Sequence, residues 1–397
     1  MGSMQRLVKI IVLSVTGLIG VVIVAALSLL FFFDPNDFKD RITSTVKTSI
    51  GRDLVLGDME LAVFPWLAVQ IGPTELANVE GFSDEAFLSF DEASLSVSFM
   101  ALILRREIQV GKAALYGLEV NLEVDRNGMT NWSDLAGESA ESASDGGVVP
   151  DFDVATVLLT NARISYDDAA AGSRYVVQNL SFETGRITED APFDISGEFN
   201  IESVFEELSG HVALHTTVTM PETAAELILE SVHVSGAVVG PLPKPIEFEF
   251  GTEKVNLDLQ GQRISPGDIE LKVLGVGINA SFEPFSYADR PEPQVEIKVA
   301  DFSAKELLRK LEMETSVMAD PTSLQHLAMS ARAVVGVNNL ELSNVLVDLD
   351  DSRITGTLDL SMVAAEPTIF DLRVDTISLD RYLMSPDENS TEVDETG

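Results

Sequence analysis

The chain has 397 residues, 64 acidic against 26 basic, for a formal net charge of -38, and it contains no cysteine. That charge argues against a nucleic-acid partner, which needs clustered Lys and Arg to meet phosphates, and the missing thiols exclude disulfides, thiolate catalysis and cysteine-ligated metals. Hydrophobic residues still make up 45%, enough to bury a sizeable core in one elongated domain or two compact ones.

Residues 1–9 carry Arg6 and Lys9 and precede Ile10 to Phe33, 24 residues without a charge. At about 1.5 Å per residue this run reaches roughly 36 Å, enough to cross a hydrocarbon core of about 30 Å. It is too long for a cleaved signal, because Leu29, Leu30 and Phe31 to Phe33 continue past Ala25 and Ala26. The pattern predicts one transmembrane helix over 10–33. Basic residues before it, and Asp34, Asp37 and Asp40 after it, keep the N-terminus cytoplasmic and put the body outside the cytoplasm.

Asp34 is placed to cap a helix with Pro35 at its first position. Phe38, Ile42, Val46 and Ile50 then fall every fourth residue until Gly51 stops the run. This predicts a short amphipathic helix directly beneath the membrane.

The hydrophobic period then changes from helical to two. Leu118, Val120, Leu122 and Val124 alternate with Glu119, Asn121, Glu123 and Asp125, and Asn127-Gly128 marks a turn. Phe193, Ile195, Phe199 and Ile201 repeat the alternation, as do Val255, Leu257 and Leu259, then Ile278 and Phe282, then Ile354, Leu358 and Leu360, and finally Phe370, Leu372 and Val374. Each run predicts a strand with one apolar and one wet face, as antiparallel sheets allow. A local pattern also recurs: Leu, any residue, Asn or Gly, apolar, any residue, Val or Ile. It occupies Leu115 to Val120, Leu159 to Ile164 and Leu342 to Val347. Its Asn or Gly tolerates a bulge or a left-handed backbone, which would bend each strand at the same point.

Residues 136–150 are small and acidic and predict a flexible linker between a segment over 34–135 and another over 151–384. Residues 385–397 read as a disordered acidic tail. Short helices are expected near 303–329, at Ser303 to Met313 and Pro321 to Met329. No nucleophile elbow, zinc-binding helix or phosphate loop occurs, so no catalytic residue, metal or cofactor is assigned. His211 and His215 lie about 13 Å apart on one strand face, too far to share a metal. Asp348, Asp350 and Asp351 lack the Gly and Glu of a calcium loop. Trp66 and Trp132 read as core side chains near turns.

Several stretches together resemble the AsmA family, part of a wider group of repeating β-groove lipid-transfer proteins. They are Asp34 to Asp40, Thr48 to Leu54 with Gly51-Arg52, Phe64-Pro65-Trp66-Leu67, Leu76-Ala77-Asn78 and Asp125 to Trp132, followed by Ala162 to Asp168, Phe302 to Leu311 and Leu379 to Leu383. The alternating pattern by itself fits either a two-layer sandwich or a single curled sheet. The resemblance implies the second: a mostly β body, an elongated, twisted antiparallel sheet curled into an apolar groove with a few short capping helices. It implies a bacterial inner-membrane anchor with a periplasmic body, phospholipid as ligand, and a role in outer-membrane biogenesis without catalysis. The wall would then include Leu118, Val120, Leu122, Val124, Phe193, Ile195, Phe199, Ile201, Val255, Leu257, Leu259, Ile278 and Phe282, with lipid entering near Phe38, Ile42, Val46 and Ile50. Another envelope protein or a second copy is the expected partner. The competing expectation is an assembly factor that transports nothing and binds other envelope proteins.

Overall fold

The computed structural model describes residues 34–62, 67–98, 109–135, 153–188, 191–203, 208–221, 226–240, 242, 244–287, 292–313, 320–336, 339–361 and 368–383. The expected transmembrane helix over 10–33, the linker over 136–150, the tail over 385–397 and Trp66 lie outside these residues. No helix among the described residues is long and apolar enough to cross a membrane. The chain divides into two compact units, Met1–Phe205 and Glu206–Gly397, and the described residues of both are mostly strand.

The first unit starts as expected. Asp34 Oδ1 accepts the Asn36 N–H at 2.9 Å, a 3-10 turn covers Pro35–Phe38, and α1 (Lys39–Ile50) ends at Gly51, whose φ is 73°. Asn36 ties this helix down, since its side chain both donates to Met59 O (2.8 Å) and accepts from Met59 N (2.9 Å). The strands follow as β1 (Leu54–Val55), β2 (Met59–Ala62), β3 (Leu67–Ile71), β4 (Thr74–Leu76), β5 (Leu88–Phe90), β6 (Glu92–Val97), β7 (Gln109–Tyr116), β8 (Glu119–Val124), β9 (Asp153–Asp168), β10 (Ser173–Thr184), β11 (Ile187–Thr188) and β12 (Phe193–Ser203).

Strand β9 organises this unit. Its first half pairs with β7 and its second with β8, so two limbs leave one side of it: β7, β6, β3, β2 and β8, β5, β4, β1. On its other side lie β10 and then β12. The β7–β9 and β8–β9 pairings are parallel, which corrects the expectation of a wholly antiparallel sheet. The 28 residues between Val124 and Asp153 explain it, because a parallel return needs a crossover of a dozen residues or more.

The second unit contains β13 (Leu208–Thr219), β14 (Glu226–Val239), β15 (Ile246–Asp258), β16 (Arg263–Pro266), β17 (Asp268–Val273), β18 (Val276–Phe282), β19 (Phe285–Ser286), β20 (Gln294–Phe302), α2 (Ala304–Lys310), β21 (Leu327–Val335), β22 (Asn339–Leu349), β23 (Ser352–Ser361) and β24 (Ile369–Val374). Antiparallel pairings run β13-β14-β15-β17-β18-β20-β21-β22-β23-β24, with β16 and β19 as a side limb on β15. Helix α2 is the first of the two expected, capped by Ser303, whose hydroxyl accepts the Glu306 N–H at 3.1 Å. The second is corrected: Pro321 to Leu324 is a turn and Leu327 to Met329 begins β21. Leu324 has a φ of 60°, and Asp350 accepts the Leu324, Gln325 and His326 N–H groups, so the backbone donors a helix would use are already engaged.

Both units share a crease. Gly117, Asn161 and Asn344, the pivots of the recurring pattern, have φ of 62°, 56° and 51°, and Asn179 and Ser231 join them at 53° and 50°. Ladder register shifts accompany the crease at Val177/Leu180 in β10, at His215/Thr217 in β13 and at Leu342/Val345 in β22. An extra residue at such a point slips the two-residue alternation by one. The sequence compensates, because apolar side chains change parity there: Leu227 and Leu229 precede Ser231, whereas Val232 and Val234 follow it. One face therefore stays apolar through the bend.

Candidate functional site

Register places the alternating side chains in rows across the strands. In the first unit Leu54, Leu76, Leu88, Val120, Ile164, Val177 and Ile201 stand opposite one another through β1, β4, β5, β8, β9, β10 and β12. In the second, Leu214, Val234, Phe250, Leu271, Ile278, Val299, Met329, Val347, Ile354 and Val374 form a ten-strand row. At about 4.8 Å per strand the longer row covers roughly 43 Å. None of these seventeen side chains is buried: sixteen are half-buried and Val374 is 45% exposed. A covered sandwich core would leave most of them with almost no accessible surface.

Across the crease in the first unit, Val69, Ile71, Leu95, Ala113, Leu115 and Val157 line an open depression of about 500 Å³ on β3, β6, β7 and β9. The sequence reading missed this patch. The alternations Leu67, Val69, Ile71 in β3 and Ala93, Leu95, Val97 in β6 are the signal that could have found it. A second depression of about 460 Å³ in the second unit brings Lys244, Lys272 and Lys310 beside Phe248, Glu247 and Glu249. Two of these lysines are compensated, Lys244 by Glu312 at 2.8 Å and Lys272 by Glu249 at 3.9 Å.

Of the thirteen expected wall residues, three stand in these rows. Val120 and Ile201 share the seven-strand row and Ile278 sits in the ten-strand row. Leu122 stands opposite Tyr166, Val124 ends β8, and Leu118 lies between β7 and β8, its carbonyl accepting from Arg163 N at 2.7 Å. Ile195 pairs with Thr184, Phe199 sits at the crease, and Phe193 is buried. Val255 and Leu257 face Leu229 and Leu227, and Phe282 packs against the cluster of Val295, Ala333 and Leu342. Leu259 is corrected: it lies in the turn after β15, 44% exposed, beyond the last rung that would hold it in the wall. On α1, Phe38 and Ile42 are exposed while Val46 and Ile50 are half-buried. Trp132 packs near Tyr166, ring centroids 6.3 Å apart.

Polar groups concentrate away from the rows. Asn131 is fully buried, and its amide donates to Asn78 Oδ1 (3.0 Å) and Asn121 O (2.8 Å) while its oxygen accepts from Glu123 N (3.0 Å). Arg52, also buried, donates to Asn131 O and to both oxygens of Asp134, and stacks on the Phe87 ring at 4.4 Å. The guanidinium holds the Asp134 carboxyl below the usual carboxylate range, against a smaller opposing effect of desolvation. These groups fix the hairpin after β8 against the chain leaving α1, and nothing in their geometry offers a nucleophile beside a base. Among the described residues no three His, Asp or Glu side chains group to hold a metal. Asp348 pairs with Arg353, and Asp351 with Arg381.

The site is therefore a surface and not a pocket with convergent chemistry: long rows of half-buried apolar rungs that border, on the same face of β20, β21 and β22, the buried cluster of Val295, Ala331, Ala333, Leu342 and Val345. A family model described as the AsmA family matches residues 4–262, which takes in the first unit from its fourth residue and the second as far as the turn after β15. No curated protein and no solved structure matches the chain.

Proposed function

We propose that this chain, which belongs to the AsmA family, is a membrane-anchored carrier or bridge for phospholipid that holds acyl chains along the uncovered apolar rows of its units. The observation that carries this reading is the row from Leu214 to Val374, ten rungs with none buried. Each methylene moved from water onto such a lining gains roughly 0.8 kcal/mol. Because the contacts have no direction, a chain can slide from rung to rung without breaking hydrogen bonds. No catalytic group or cofactor is needed for that task. The anchor over 10–33 would sit in the inner membrane of a Gram-negative cell with the body in the periplasm, and Phe38 and Ile42 on α1 would meet lipid as it leaves the bilayer. Delivery towards the outer membrane follows from that placement.

The test is direct. Full-length protein is purified in detergent, exchanged into a lipid-free medium, and subjected to native mass spectrometry and organic extraction. Phospholipid should accompany the chain at one or more molecules per copy. A chain that emerges bare and takes up no phospholipid from vesicles would refute the proposal.

A further inference from the structure

The outermost strand of the second unit, β24, pairs with β23 on one side only among the described residues. Among the described strands it is also the most exposed apolar one: Ile369 is 63% exposed, Phe370 66%, Leu372 45% and Val374 45%. Edge strands are ordinarily blunted by proline, bulges or charge at the edge, and β24 has no proline and no register shift. Its free backbone groups can be identified. Asp375 N donates to Arg353 O at 3.1 Å, and hydrogen-bonded positions alternate along an antiparallel strand, so 371 and 373 point towards β23 while 370, 372 and 374 present N–H and C=O outwards.

We infer that β24 pairs antiparallel with β24 of a second copy, on a two-fold axis through Leu372. The sequence Phe370-Asp371-Leu372-Arg373-Val374 is self-complementary in that register. Leu372 meets its own copy, Phe370 meets Val374, and Asp371 meets Arg373 twice. Backbone parity requires even-numbered residues to face even-numbered residues. Moving the axis one residue towards the N-terminus sets Asp371 against Asp371, and moving it one residue the other way sets Arg373 against Arg373. Of these three axes only the one through Leu372 joins opposite charges, and like charges directly opposite one another destabilise a ladder; an axis through Val374 would set Arg373 against Asp375, which lies beyond β24 with its carboxylate already accepting from Arg353 N and Thr376 N. Each copy of this chain carries a net charge of -38, which opposes indiscriminate contact between copies and makes a matched pair at the edge the selective element. The pairing would also set Val374, the end of the ten-strand apolar row, against Phe370 of the second copy, which begins the row through Leu358. It rests on the edge alone and holds whether or not the rows carry lipid.

Charge reversal tests both the partner and the register. The dimer dissociation constant of the full chain in detergent is measured by analytical ultracentrifugation for the native sequence, Asp371→Arg, Arg373→Asp and the double variant. Either single reversal sets like charges opposite each other at two symmetric places and should weaken the dimer about tenfold or more, and the double variant should return to within about threefold of the native value. All three changes lie on an exposed edge, so circular dichroism should be unchanged. Since the chain has no cysteine, mixing Asp371→Cys with Arg373→Cys should give a disulfide dimer under oxidation that neither variant gives alone; these positions form a non-hydrogen-bonded pair, with Cα atoms about 4.5 Å apart. A chain that stays monomeric at about 100 μM, a dimer indifferent to the reversals, or crosslinking from this edge in cells only to a different protein would overturn the inference.

Discussion

Arg52 reaches Asp134 across 82 positions of sequence, and in doing so joins stretches that look unrelated when read in order. Gly51-Arg52, Asn78 and the Asp125 to Trp132 hairpin are isolated motifs in sequence, whereas in three dimensions they share one buried polar knot centred on Asn131. Its partners are specific, so its loss has a definite size. Asn131→Ala removes three hydrogen bonds and leaves buried backbone groups without partners, which should cost about 2–4 kcal/mol in urea unfolding. Asp134 adds a pH dependence. Its carboxyl is depressed in the folded state, chiefly by the hydrogen bond from Arg52, so its contribution is present above the unfolded carboxylate value, near pH 4, and is lost as pH falls through the lower folded value. The variant Asp134→Asn should be less stable than the native chain at pH 7 and should lose less stability on acidification below pH 4. Equal acid slopes for the two proteins would show that Asp134 carries no such linkage.

At the level of elements, what could be read from sequence was whatever a short window contains. The helix α1 is legible because its cap, its four-residue spacing and its Gly stop all lie within 18 residues, from Asp34 to Gly51. The crease was legible at Gly117, Asn161 and Asn344, where the side chain announces a left-handed backbone. It was not legible at Ser231, since serine gives no such signal, and at Asn179 the flanking Val177 and Phe182 break the pattern. Pro321 to Met329 misled because Leu324 and Leu327 have helical spacing, while Asp350, which holds that turn, is distant in sequence. The crease itself can be tested. At Asn161 and Asn344, glycine accepts positive φ and should change stability by less than about 0.5 kcal/mol, whereas valine should cost about 1–2 kcal/mol at either site. Gly356 is a stricter case, because a Cβ there would lie 1.9 Å from the Asp371 carbonyl oxygen on β24. Gly356→Ala should therefore free β24, seen as faster amide hydrogen exchange over 369–374 with the remaining strands unchanged. Unaltered exchange at β24 would contradict the close approach.

For the whole molecule, alternation revealed that each strand has an apolar face but not what lies opposite it. That answer depends on pairing, and the parallel seating of β7 and β8 on β9 depends on residues far apart in the chain. The open or covered state of the rows decides between a lipid wall and an ordinary core, and one substitution separates them. Val120 sits in the middle of the seven-strand row, half-buried between Leu88 and Ile164. On an uncovered face a carboxylate at this position keeps most of its water, so Val120→Asp should cost less than about 1.5 kcal/mol, mainly lost apolar contact. In a covered core the same unpaired charge would cost several kcal/mol and unfold the unit. Folded Val120→Asp should also carry less phospholipid than the native chain, since acyl methylenes would have to desolvate the new charge. Glu119→Lys, one residue away on the exposed opposite face, should leave lipid content unchanged. The two variants are compared by urea unfolding and by phosphorus assay of the purified protein. Unfolding of Val120→Asp would indicate a covered core and end the open-wall reading, while a folded variant with its full complement of lipid would remove this row from the binding surface.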